Sequence, residues 1–196
     1  MKIKDVFDEI IVGYNITNAA VKDKCAKMYK TLQKDSIQYT NIIDSKIIEK
    51  AFSGEIKEKY FIKQNDILIF VKKPYRVGIC IKNEQEIILP NNFVLLRGIH
   101  DTYSAVFVAN YLEKIGIKKH VEKNSFIGNL TVDDIKKIDL PDISKEKQMT
   151  ISPLLHDINE RSAIYSNILD NDQKIIHYAL HRILGDENDW SDTRRT

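Results

Sequence analysis

Two groups of residues have the types and spacing that could support chemistry. His177 and His181 stand four apart, so a helix places both imidazoles on one face, the arrangement by which paired histidines bind zinc in metalloproteases. That motif also needs a glutamate directly after the first histidine as general base, and Tyr178 stands there. Two surface or seam histidines is the simpler reading. Asp44, Glu55 and Lys57 form the second group, with the residue types of a Mg²⁺-dependent nuclease, in which carboxylates hold the metal and lysine supports the attacking water. Such chemistry needs the glutamate and lysine on one strand beside the aspartate. Glu55 to Lys59 reads instead as a solvated loop or surface helix. His100, His120 and His156 have no nearby cysteine or carboxylate grouping with ligand spacing. The seven glycines are scattered and none precedes a Lys-Ser/Thr pair, so no phosphate loop is present, and there is no nucleophile elbow. The expectation is a chain without catalysis of its own.

The elements that would position any site fall into two textures. Phe61-Ile62 leads to Asp66 and the branched run Ile67-Leu68-Ile69-Phe70-Val71, which stops at Lys72-Lys73-Pro74, a buried strand closed by a proline turn. Val77 to Ile81, Glu86 to Leu89 and Phe93 to Arg97 give three more strands, with Lys72 to Arg76 at a hairpin tip and Pro90-Asn91-Asn92 in a loop. The period then changes, and Ser104 to Ile115 reads as a helix ended by Gly116. Thr131-Val132-Asp133-Asp134 is a helix start with Thr131 as cap, and Ile138-Asp139-Leu140-Pro141 is a short extended exit.

From Lys145 to Leu184 there is no glycine and one proline. Apolar positions recur with four-three spacing through Ile151, Leu155, Ile158, Ser162, Tyr165, Leu169, Asp172, Ile176, Ala179 and Ile183. Ser144 is a plausible cap and Gly185 a natural stop. Forty helical residues would span roughly 60 Å, which predicts pairing along the seam. Pro153 predicts a kink or a broken first turn. Asp172 on the seam would fix register or meet a basic partner. The fold class is therefore α+β, a mixed strand-rich domain followed by a long coiled-coil-like helix, and 185–196 is expected to fray.

Composition narrows the class further. A chain of 196 residues with 43% hydrophobic and 30% charged residues can bury one full core. Net charge is only +2, but its distribution is uneven: 23 Lys and Arg against 19 Asp and Glu up to Ser144, then 7 against 9. A mildly basic first part suits DNA contact. Cys25 and Cys80 are far apart and read as free thiols in a reducing cytoplasm. The start Met1-Lys2-Ile3-Lys4-Asp5 lacks a signal-peptide run, and no segment has the length of a membrane span.

Leu140-Pro141-Asp142-Ile143-Ser144-Lys145-Glu146-Lys147-Gln148-Met149-Thr150-Ile151 resembles the Leu-Pro-x-x-x-x-x-Glu-Gln-x-x-Ile segment that opens the conserved helix of Type I restriction-modification specificity subunits, with Lys147 separating Glu146 from Gln148. Phe61-Ile62-Lys63-Gln64-Asn65-Asp66-Ile67-Leu68 is similar to that family's Leu-Lys-Gly-Asp-Ile-Leu element, with Asn65 where glycine is usual. Lys34-Asp35-Ser36-Ile37, Ile42-Ile43-Asp44, Ser125 to Leu130, Asp134-Ile135 and Ile138 to Pro141 follow the family's order, so the resemblance spans Met1 to Leu184. It implies a target-recognition domain over 1–143 and a docking helix over 144–184. Family members carry two of each in one chain. Their helices pack antiparallel as a ruler and dock two adenine methyltransferase subunits, and each recognition domain reads half of a split site in double-stranded DNA. S-adenosylmethionine and the catalytic site are then expected in the partner subunits, with no cofactor here. The present chain is expected to act as a half-size specificity subunit, pairing its seam (Ile151, Leu155, Ile158, Tyr165, Leu169, Ile176, Ile183) with a second copy or with methyltransferase helices; a restriction subunit is a further candidate partner. Two copies would imply a two-fold symmetric DNA site.

DNA readout needs donors and acceptors on loops held by a rigid scaffold. The strongest candidates are Lys72, Lys73, Tyr75 and Arg76, with lysines for phosphates, Arg76 for guanine and Tyr75 to stack or wedge. Tyr14, Asn15, Asn91 and Asn92 come second, since asparagine can pair with adenine but also forms turns. Ser125 and Asn129 come third. The alternatives are an assembly protein without DNA readout and the Mg²⁺-dependent nuclease.

Overall fold

A computed structural model describes residues 1–15, 27–42, 46–52, 55–81, 86–124 and 128–184. Cys25, Asp44, Ser125 and the tail 185–196, on which the sequence places expectations, lie outside these residues. Contacts divide the chain after Glu160 into a unit Met1–Glu160 and a second unit beginning at Arg161.

The first unit is built on a four-stranded antiparallel sheet of β1 (Phe7–Val12), β6 (Ile67–Phe70), β7 (Arg76–Ile79) and β9 (Phe93–Ile99), in the order β1-β9-β6-β7. The expected run Ile67 to Val71 is apolar throughout because the sheet is covered on both faces. With a side-chain period of two, Ile67 and Ile69 enter one core and Leu68 and Phe70 the other. In β9, Val94 and Leu96 join the first core, Phe93 and Leu95 the second. The first core is closed by three short helices, α1 (Ala105–Tyr111), α2 (Ile117–Lys123) and α3 (Val132–Lys136). The second lies under Leu32, Ile62, Cys80 and a tight hairpin of β3 (Ile37–Gln38) and β4 (Asn41–Ile42). A smaller sheet, β5 (Ile48–Phe52), β2 (Lys27–Thr31) and β8 (Ile87–Ile88), packs its aromatic face around Phe52, with Tyr14, Tyr29, Tyr60 and Phe61 beside it.

Gly116 does not end the first helix. Its φ of −61° is helical, and α1 passes through a π-helical turn, Leu112–Gly116, into α2. The glycine is needed for space: a Cβ there would lie 2.8 Å from the Tyr111 ring. The Thr131 cap forms as expected, a box in which Thr131 Oγ1 accepts from the Asp134 amide (3.2 Å) and Asp134 Oδ2 accepts from the Thr131 amide (2.9 Å). The exit segment pairs with the N-terminus, where the Leu140 amide donates to Met1 O at 2.8 Å and the Ile3 amide to Ile138 O at 3.1 Å.

The final element is α4 (Lys145–Leu184), forty residues without interruption. The helix runs on through Pro153, so the broken first turn that is one expectation there is absent. Proline frees the carbonyl four residues back, and Met149 is exposed, where water can take that acceptor. The residues α4 buries are mostly polar: Gln148, Ser152 and Asn159, followed by Ala163. Gln148 is 0% exposed and uses its whole amide, accepting from the Ser104 amide (3.0 Å) and donating to Thr102 O (3.2 Å) and Ile143 O (2.7 Å). Ser152 Oγ meets Ser104 Oγ at 2.8 Å. The apolar seam is left outward. Ile151, Ile158, Tyr165, Leu169, Ile176 and Ile183 are 40% to 80% exposed, and Leu155 is half-buried. Among the described residues, no helix is long and apolar enough to cross a membrane.

Candidate nucleic-acid interface

The strand register brings the candidate loops to one end of the main sheet. Val12 pairs with Val94, Phe70 with Phe93, and Phe70 also with Arg76, so β1 and β6 finish where β9 and β7 begin. Beyond that line the Gly13 amide donates to Phe93 O (3.0 Å), the Tyr14 amide to Leu89 O (2.7 Å), and the Val71 amide to Asn92 O (3.0 Å). The Leu130 amide in turn reaches Val71 O at 2.9 Å. Gly13 permits this crowding, because a Cβ there would sit 2.0 Å from Pro90 O. Segments from four places in the sequence (13–15, 71–76, 90–92 and 128–130) therefore form one edge.

That edge carries Lys72, Lys73 and Arg76, all exposed, and no Asp or Glu among its fifteen residues. Asn15, Asn91 and Asn129 are exposed beside them, and Asn91 Nδ2 donates to Asn15 Oδ1 at 3.3 Å. Asn92 is half-buried with its Oδ1 enclosed. Tyr75 is half-buried, and its hydroxyl donates to Gly128 O at 2.6 Å. Burial, then the nearby Asp134 charge, raises its pKa, so the phenol stays protonated and keeps that bond. Its ring packs against the first core, so Tyr75 braces the loop more than it projects from it. Tyr14 packs edge-on against Tyr60 at 5.3 Å and is likewise a brace.

Beneath the cations lies Glu113, which the sequence reading did not single out. The π-helical turn aims its carboxylate at β7: Oε2 accepts from the Val77 amide at 2.6 Å, and Oε1 lies 3.8 Å from Arg76 Nη1. Burial pushes its pKa above the usual glutamate value, opposed by the Val77 hydrogen bond and the Arg76 charge. A groove of about 580 Å³ opens beside it, lined by Lys73, Pro74, Tyr75, Ile117, Lys118 and Val121 among others. Glu113 could have been suspected only from an acidic residue interrupting an otherwise apolar helix face.

At the opposite end of the sheet, Asp66 and Arg97 form a two-pronged pair, Arg97 Nε to Asp66 Oδ1 at 2.9 Å and Nη2 to Oδ2 at 2.6 Å. The Asp66 side chain is 2% exposed, and its hydrogen bond is the main reason the Arg97 pKa is raised. Glu55 and Lys57 are exposed and lie outside every strand. His177 and His181 do share a helix face, with ring centroids 4.1 Å apart. No cluster of three metal-ligating side chains occurs among the described residues.

No protein-family model matches the chain, and no curated protein sequence does. Solved structures do match. A chain from a study of complex assembly and conformational transition of a type I restriction-modification system aligns with TM-score 0.58 and 17% identity, over 94% of this chain and 44% of that one. The HsdS subunit of Thermoanaerobacter tengcongensis aligns with TM-score 0.58 and 14% identity, over 95% of this chain and 48% of that one. The S subunit of a type I system from M. genitalium gives 0.52 and 16%, over 96% and 46%. The architecture is thus a strand-rich α+β domain with a long C-terminal helix. Its fold is that of type I restriction-modification specificity subunits, and the chain spans just under half the length of the structures it matches.

Proposed function

We propose that this chain is a DNA-specificity subunit of a type I restriction-modification system, without catalysis of its own. The observation that carries this reading is the acid-free edge, where three exposed cations and several amide side chains from four separate segments converge at one end of a rigid sheet. Lysines there suit phosphates, and Arg76 suits the paired acceptors of guanine. The exposed seam of α4 suits helix docking, either to adenine methyltransferase subunits or to a second copy of the chain. In this reading the partners hold S-adenosylmethionine and perform the methyl transfer, while the chain reads one half-site of double-stranded DNA.

The test uses the complex purified with the products of neighbouring genes. Changing Lys72, Lys73 and Arg76 together to alanine should weaken DNA binding. It should also flatten the slope of log K against log salt by about 2 to 3, at roughly 0.9 per lost phosphate contact. Unchanged affinity and slope would reject this edge as the DNA face and favour a pure assembly role. Mg²⁺-dependent cleavage by the chain alone, lost in Glu55→Ala, would instead establish the nuclease.

A further inference from the structure

Asn159 lies deep in the first unit, 5% exposed, on the fourth turn of α4. Both of its amide hydrogens are committed, one to Thr40 Oγ1 and one to Asn110 Oδ1, each at 2.7 Å. Thr40 occupies the β3–β4 turn with φ 61°, next to Tyr39 at φ 50°. A branched residue rarely adopts that left-handed backbone, so surrounding contacts must hold it there. The Thr40 carbonyl accepts the Ile79 amide of β7 at 2.9 Å. Asn110, anchored to Val106 O at 2.9 Å, sits one turn before Glu113, whose carboxylate takes the Val77 amide of the same strand.

β7 is an edge strand of its sheet. The Cys80 amide points inward to Asp66 O (3.0 Å), so the alternate amides of Val77 and Ile79 point outward. An uncapped outer row is what leaves an edge strand free to shift or fray. Here both outward amides are capped, and the two caps trace back to one side chain. We propose that Asn159 is the positioning residue that ties α4 to β7, and thereby fixes the placement of Arg76 at the first position of that strand. This rests on the DNA-reading role of the edge, which the test below checks separately.

Asn159→Leu removes both donors at similar volume, and Thr40→Ala removes one acceptor should the first variant fail to fold. Amide exchange on the full chain should accelerate at least tenfold at Val77 and Ile79 in Asn159→Leu and at Ile79 in Thr40→Ala, with β1 and β9 amides unchanged. In selection from a random DNA pool by the partner-bound complex, both variants should blur the same base positions that Arg76→Ala blurs, while the salt slope stays at its wild-type value. Unchanged exchange at Val77 and Ile79 overturns the proposal, as does a uniform loss of affinity with the selected motif intact. If Arg76→Ala leaves the motif unaltered, the reading role of the edge fails, and the exchange result alone decides whether Asn159 sets β7.

Discussion

Gln148 offers the most direct test of how the long helix is joined to the strand-rich domain. Its amide makes three hydrogen bonds, to the Ser104 amide, Thr102 O and Ile143 O, and the residue is fully buried. Leucine in its place preserves most of the volume and removes all three. At about 1 kcal/mol net for each bond, the loss should be ~3 kcal/mol. For a domain of this size that corresponds to a fall in Tm of roughly 6–12 °C. Lys147→Ala, one residue away and exposed, should stay within about 0.5 kcal/mol. Urea and thermal unfolding of the chain, followed by circular dichroism, give both values. A loss below about 1 kcal/mol for Gln148→Leu, or an equal loss for Lys147→Ala, would refute the idea that the glutamine joins the elements, since three bonds at even about 0.5 kcal/mol each should exceed that.

Two further outcomes follow from buried charge and backbone. Arg97→Ala leaves Asp66 unpaired inside the protein and should cost about 3–5 kcal/mol in unfolding experiments. Arg97→Lys should recover only part of that, because the ammonium cannot reproduce the two-pronged geometry while also reaching Phe61 O, now 2.7 Å from Nη2. Asn65 holds φ 67°, a conformation asparagine tolerates and branched residues resist. Asn65→Gly should therefore be near neutral in Tm, whereas Asn65→Val should lose about 1–3 kcal/mol.

Local signals were legible wherever one side chain or one period determined the outcome. The apolar run Ile67–Phe70, the Thr131 capping box and the forty-residue extent of α4 follow from strand burial, side-chain capping and helical spacing, each contained within a few neighbouring residues. Asn65, standing where the resembling family has glycine, is a left-handed position that the sequence marked without explaining. Tertiary structure decided the rest. Gly116 reads as a stop, yet it is the space into which Tyr111 packs, a fact that exists only once the turn is formed. The face of α4 that enters the core could not be read from hydropathy, because burial there is satisfied by hydrogen bonds from Gln148, Ser152 and Asn159 while the apolar seam stays outside. The candidate DNA edge is the clearest case. Lys72 to Arg76, Asn15, Asn91 and Asn129 could each be nominated by chemistry, but their meeting at one end of the sheet depends on the pairing of β1, β6, β7 and β9. Register is a property of strands far apart in sequence. No local pattern contains it.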